Sequence, residues 1–312
     1  MKRFLKLTSI FALFCLSILI IVEFALFTQE NKYSYKIHYI EKNHDKIKVL
    51  TLGASLFEVG IDPSVIGEGV FNGNVSGISD VYRNSPTVQL AKRYVPQMEN
   101  LETLIVPFTI YNVYDGNNQE WHLQTIPAVR SCKCMAVKYL KTKVHPLDFV
   151  YWSEFLNSDM NYLNRFFDTD INTRLCDSLG FLSKGRNLEN RPKGWNKMAK
   201  DNSKDIRRPQ DTQSVIDGFL DIAETCRNEG VRLVAVAPPL YEERYNQLSP
   251  SIKADYHYAI KMIKQKYPEV EFFDYSNDKR FVADDFQDVY HVNNNGARKL
   301  SIIVKKEILQ WQ

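Results

Sequence analysis

A chain of 312 residues with 44% hydrophobic and 25% charged side chains has ordinary globular composition, which excludes wholesale disorder and suffices for one large domain. Forty basic against 37 acidic residues leave a net charge of +3. That near-balance, with no dense basic stripe, gives no footing to a nucleic-acid partner.

The amino terminus departs from that average. Lys2, Arg3 and Lys6 precede Leu7 to Phe27, where Glu23 is the only charge. A helix crossing a bilayer needs about 20 apolar residues, and this run supplies them if Glu23 snorkels to the interface. The rival is a cleaved signal peptide with Leu7 to Val22 as its apolar core. Cleavage wants small residues, and Phe24-Ala25-Leu26-Phe27 offers bulk. Cys15 does not read as a lipoprotein cysteine, because Phe14 stands where a small residue belongs. Residues 1–28 are therefore expected to be a retained signal anchor, its basic end cytoplasmic. The remainder is then extracytoplasmic, in the periplasm or at the cell surface. Residues 29–45, polar with Lys and Tyr alternating, read as a stalk, and 46–312 as the main domain.

Ile47 to Leu52 is the first strand, a nearly continuous apolar run of the kind buried in parallel sheets. It leads to Gly53-Ala54-Ser55. A turn with a short helical piece follows, then a second strand over Val70 to Val75 and the small polar group Ser76 to Ser79. Pro86 to Val95 is predicted as helix and Leu101 to Phe108 as strand, ending at Tyr111-Asn112. From about 113 to 209 the rhythm breaks into a stretch rich in Asn, Lys and aromatics. It reads as a helical and irregular insertion, with Tyr151 to Phe167 as an amphipathic helix. Its Trp121, Trp152 and Trp195 suit sugar faces, although such residues more often pack a small core. Alternation resumes with helix over Val215 to Arg227, strand over Val231 to Ala237, helix over Lys253 to Tyr267 and strand over Val270 to Phe273. A last helix carries Ala297, Leu300, Val304 and Ile308 at helical spacing, capped by Asn293 or Asn294.

Five strands alternating with helices imply an α/β fold with a parallel, doubly wound sheet covered on both faces. Ligands of such sheets gather beyond the carboxyl ends of the strands. Ser55 follows the first strand, Asn112 the third, and Asp288 and His291 the last, so all the suspected chemistry falls on one edge. Asp288 and His291, three residues apart, can form a carboxylate–imidazole pair within one turn, and His291 can then take the proton of a serine hydroxyl. Each has a plainer reading: Asp-x-x-His as a solvated turn, Ser55 as a helix cap. The elbow Gly-x-Ser-x-Gly is absent, because Phe57 stands at its second glycine. Cys132 and Cys134 are one residue apart, Cys176 and Cys226 are isolated, and no histidine cluster joins them. They read as packing cysteines, with no metal or cofactor.

Gly53-Ala54-Ser55 resembles the first motif block of the SGNH (GDSL-type) esterase superfamily, with Ala54 in place of the usual aspartate. Phe286-x-Asp288-x-x-His291-x-Asn293-x-x-Gly296-Ala297 is similar to its last block. The Gly60-Ile61-Asp62-Pro63 segment, Phe71-Asn72 and the loop Ser76 to Ser79 further resemble membrane-anchored SGNH-like proteins of bacterial polysaccharide and envelope contexts. The resemblance covers about residues 46–112 and 211–310. It implies a three-layer αβα, flavodoxin-like fold and hydrolysis or transfer of an O-acyl group, acetyl foremost, on a cell-surface glycan. It implies Ser55 as nucleophile, Asp288 and His291 as its partners, and Gly77 and Asn112 as oxyanion donors, with Asn72 or Asn74 as an alternative to Asn112. The partners it implies are an acylated glycan, the bacterial inner membrane through the amino-terminal helix, and a membrane acyltransferase or polysaccharide machinery. The other class of function is a non-catalytic glycan-binding or assembly factor that keeps this fold, to which Ala54 points.

Overall fold

A computed structural model describes residues 1–28, 32–75, 81–83, 85–110, 113, 176–183 and 209–311. Five short strands, β1 Val49–Thr51, β2 Val70–Asn72, β3 Thr103–Pro107, β4 Arg232–Ala237 and β5 Glu271–Asp274, form one sheet. All pairings are parallel and the order is β2-β1-β3-β4-β5. Leu50 of β1 lies opposite Phe71 and Leu104, which sets the register on both of its flanks.

The strands are apolar on both sides because both faces are covered. Leu50, Leu104, Val106, Leu233 and Ala235 belong to one buried cluster, while Val49, Ile105, Val234 and Val236 belong to another. This is strand alternation written into two cores. On the first face pack α5 (Pro86–Tyr94), α6 (Pro209–Asn228) and α8 (Pro250–Lys266). Phe108, just beyond β3, anchors that side, its ring 4.9 Å from Phe219 and 5.4 Å from Tyr256. On the second face lie α4 (Pro63–Ile66), α9 (Asn294–Ile303) and the π turn Val304–Ile308. Two short helices follow strand ends: α3 (Ser55–Glu58), directly after β1, and α7 (Glu242–Gln247), after β4.

Helix starts lie upstream of where periodicity alone puts them. Proline is pre-shaped for the first helical turn, where its missing N–H costs nothing, and serine before it accepts a free N–H. So α8 begins at Pro250, with Ser249 Oγ accepting from Ile252 N at 3.3 Å, and α6 begins at Pro209.

The amino-terminal helix α1, Lys2–Thr28, has an apolar stretch Lys2–Ala25 of mean hydropathy 2.5 with none of it buried, long and apolar enough to cross a membrane. The next segment differs from its expectation as a stalk. It carries α2 (Lys32–Asn43), whose Tyr33, Ile37 and Ile40 recur at helical spacing and join the first core. Of the expected insertion, Val113 and 176–183 are described. Leu179 O accepts from Asn72 N at 2.9 Å, and Leu182 N donates to Glu58 O at 3.0 Å, so this piece is knitted to β2 and α3.

Candidate active site

The sheet grows in opposite directions from β1, toward β2 on one side and β3 on the other. At such a reversal the carboxyl ends of the strands diverge and leave a crevice. Gly53 sits there because a side chain has no room. A Cβ would meet Pro107 Cδ and Cγ at 2.4 Å and Asn74 Oδ1 at 3.0 Å. Ala54 then occupies the cap position of α3 without a side-chain cap bond, and Ser55 is the first helical residue. The plainer reading of Ser55 as the cap therefore does not describe its hydroxyl. Ser55 Oγ lies 2.8 Å from His291 Nε2.

His291 is delivered by a tight loop after β5. Phe286 and Val292 form an antiparallel bridge, and Gln287 N donates to His291 O at 2.9 Å. Asn293 caps α9, its Oδ1 accepting from Asn295 N and Gly296 N, while its Nδ2 donates to Asp284 O at 2.7 Å. Gly296 lets the helix start press against this loop. A Cβ there would fall 2.3 Å from Asp285 O and 2.7 Å from Val292 Cβ. The run Asn293-x-x-Gly296 is thus a mount for the histidine.

Asp288 completes the line. Its carboxylate is 2.9 and 3.0 Å from His291 Nδ1, and Oδ1 also accepts the backbone N–H of Tyr290 at 2.8 Å and of His291 at 2.7 Å. Burial pushes this carboxyl up, but the hydrogen bond and charge of His291 and the two backbone N–H groups outweigh it, and its pKa lies below the ordinary aspartate value. A charged carboxylate holds the proton of the imidazole on Nδ1. Nε2 is then an acceptor aimed at the serine hydroxyl. The chain thus brings three of the expected site residues together in hydrogen-bonded sequence.

No family model matches this chain, and no curated protein matches it.

Gly77 and Asn112 lie outside the described residues, as do Trp121, Trp152, Trp195 and the Tyr151 to Phe167 segment. The alternative donor Asn74 is buried beside Gly53, but both its amide N–H groups are committed, to Thr51 Oγ1 at 2.5 Å and Asn72 Oδ1 at 2.9 Å. It braces the loop after β2 and leaves no donor for an oxyanion. The backbone N–H of Ser55, at the first helical position, has no acceptor within its helix.

Three further side chains, those of Asn72, Glu58 and Lys36, support this geometry. Asn72 Nδ2 donates to Phe57 O at 2.9 Å and Ile61 O at 2.7 Å, clamping the exit of α3. Glu58, fully buried, receives Lys36. The signal for Lys36 was its place one residue from Ile37 on a helical apolar stripe.

Proposed function

We propose that this chain is a membrane-anchored SGNH-type serine esterase or acyltransferase, flavodoxin-like in fold, acting on O-acyl groups of an extracytoplasmic glycan. One observation carries the proposal: the continuous run Ser55 Oγ, His291 Nε2, Asp288 at 2.8 and 2.9 Å. The strand order 2-1-3-4-5 supports the fold, and the placement of Ser55 at the reversal beside β1 supports the site. The helix α1 supports the anchor, with the domain on the far side of the membrane from Lys2, Arg3 and Lys6.

In the first half-reaction His291 Nε2 takes the hydroxyl proton as Ser55 Oγ bonds to the ester carbonyl carbon. The negative charge that develops on the carbonyl oxygen faces the Ser55 N–H. Collapse breaks the ester C–O bond, and the imidazolium returns its proton to the departing sugar oxygen, leaving acyl-Ser55. Water or a second sugar hydroxyl then reverses these steps, giving hydrolysis or transfer. Asp288 stays ionised and holds the ring throughout.

The test is labelling of the full-length protein in detergent by a fluorophosphonate, which traps an activated serine. Labelling is expected, and is expected to vanish in Ser55→Ala and His291→Ala. A folded wild-type protein that takes no label sinks the enzyme reading. It would favour the second reading, a glycan-binding or assembly factor, to which the commitment of both Asn74 N–H groups also points.

A further inference from the structure

A second group of charges lies against the nucleophile's helix and takes no part in the triad. Glu58 ends α3, one turn after Ser55, with its side chain fully buried. Its Oε1 accepts from Lys36 Nζ and its Oε2 from Lys32 Nζ, each at 3.1 Å. Lys36 is also fully buried, and its Nζ donates to the carbonyl oxygen of Asn74. The two lysines stand at i and i+4 on α2, so both ammonium groups reach one face of that helix.

Docking α2 does not require this arrangement. Tyr33, Ile37 and Ile40 already bury its apolar stripe, and a buried ion pair adds little net stability over apolar packing. What the charges add is a connection among three pieces. Glu58 belongs to the helix that begins with Ser55. Asn74 belongs to the loop that runs beside Gly53, where Val75 N donates to Gly53 O at 2.9 Å. Lys36 joins both to α2. The four-residue α3 is too short to hold its own direction, because an isolated helical turn is unfavourable. Its direction is imposed from outside, by Asn72 on its exit carbonyls and by Lys36 on Glu58. Burial holds the Lys36 pKa below its ordinary value, and the charge and hydrogen bond of Glu58 offset that shift only in part.

We propose that Lys36 and Glu58 are positioning residues for Ser55, the buried pair fixing α3 in the direction that puts Oγ on His291 Nε2. The membrane-proximal helix is then a working part of the active site. This rests on the reading of Ser55 as the nucleophile.

The experiment uses the full-length protein in detergent and three variants: Lys36→Met, the neutral pair Lys36→Met/Glu58→Gln, and Lys32→Met, whose side chain is 18% exposed in the native chain. Three quantities are read: fluorophosphonate labelling rate, thermal midpoint, and amide hydrogen exchange over residues 53–60. Lys36→Met removes the fully buried ammonium from Glu58 and is expected to lower both rate and midpoint. The neutral pair removes the unbalanced charge and recovers the midpoint. It is still expected to label about 10- to 100-fold more slowly, the scale of a misdirected nucleophile, with faster exchange over 53–60. Lys32→Met, the variant safest to fold, is expected to slow labelling about threefold with a native midpoint.

A neutral pair, or Lys32→Met if the neutral pair does not fold, that keeps native labelling and native exchange overturns the proposal. If wild type itself takes no label, the nucleophile reading fails, and exchange alone decides the clamp. Faster exchange confined to 53–60 then supports it, and unchanged exchange ends it.

Discussion

The Asp288 carboxylate holds both the ring and the backbone of His291, accepting from Nδ1 at 2.9 Å and from the backbone N–H of the same residue at 2.7 Å. The side-chain bond orients the imidazole and the backbone bond closes the loop that carries it. Substitutions at Asp288 should therefore separate the two effects. Asp288→Asn keeps an acceptor for the backbone and loses the charge that fixes the tautomer. It is expected to fold with a near-native midpoint and to label about 10³- to 10⁴-fold more slowly. Asp288→Ala leaves the N–H groups of Tyr290 and His291 without their acceptor and is expected to cost about 1–3 kcal/mol of stability as well. Paired labelling and thermal denaturation check this. Equal stability of the two variants would show that the backbone bonds carry nothing.

Acid stability follows from the same carboxylate. Its folded pKa is depressed below the ordinary 3.8, so its stabilisation is complete above that unfolded value. As pH falls from the unfolded value toward the folded one, the unfolded chain gains a proton that the folded chain refuses, and the stabilisation drains away. Below the folded value it is gone. The stability gap between wild type and Asp288→Ala, measured by denaturant titration, is expected to hold at mildly acidic pH and to narrow only as pH drops through the aspartate range. A gap already closed at neutral pH contradicts this.

The positions of the five strands and of the triad were legible in the sequence for a common reason. Parallel strands buried on both faces leave unbroken apolar runs such as Leu104-Ile105-Val106, whereas their order in the sheet is not written in those runs, since doubly wound sheets take more than one. Asp288, His291, Asn293 and Gly296 act within one loop, so their spacing records their contacts. What stayed hidden depends on distant partners. Lys36 reads as a solvated stalk residue until Glu58 is beside it, 22 positions later. Asn74 reads as a spare donor until Thr51 and Asn72 are seen to take both its N–H groups. Polar residues in a core are specified by what they meet, which a single sequence does not print.

Gly53 offers a test of the close contact behind Ser55. A methyl group there would fall 2.4 Å from two carbons of Pro107, a ring closed into the backbone at the end of β3 that has little freedom to yield. Gly53→Ala is expected to cost about 1–3 kcal/mol by overpacking and to slow labelling, because relief of the clash moves Ala54 and Ser55 away from β3. Thermal denaturation and labelling measured together check it. An alanine variant with native values in both would mean that β1 and β3 part at no cost.

Asn293 is expected to matter for rate through stability of the His291 loop. Its side chain accepts two N–H groups of α9 and donates to Asp284 O and Phe286 O. Asn293→Ala removes the cap and leaves buried partners unsatisfied, at a cost of about 2–3 kcal/mol. Asn293→Asp keeps the cap acceptor but loses the donor, and should lie between alanine and wild type. Chemical denaturation of the three proteins orders them. Alanine and aspartate variants of equal stability would place the whole effect on the donor side.

The short link between α1 and α2 limits how far the site stands from a bilayer. The apolar stretch of α1 ends at Ala25 and α2 starts at Lys32, so the intervening chain spans about 25 Å at full extension. Lys32 is bonded to Glu58, one turn from Ser55, which keeps the serine within about 45 Å of the end of the span. With α1 in the membrane, a fluorophore carried into Ser55 by a fluorophosphonate should transfer energy efficiently to acceptor lipids in a reconstituted vesicle. A Gly/Ser spacer of about 30 residues placed after Thr28 adds a coil of about 30 Å and should weaken that transfer while leaving the labelling rate unchanged. Equal transfer with and without the spacer would mean that the domain lies on the bilayer through its own surface, and that the length of the link does not set its height.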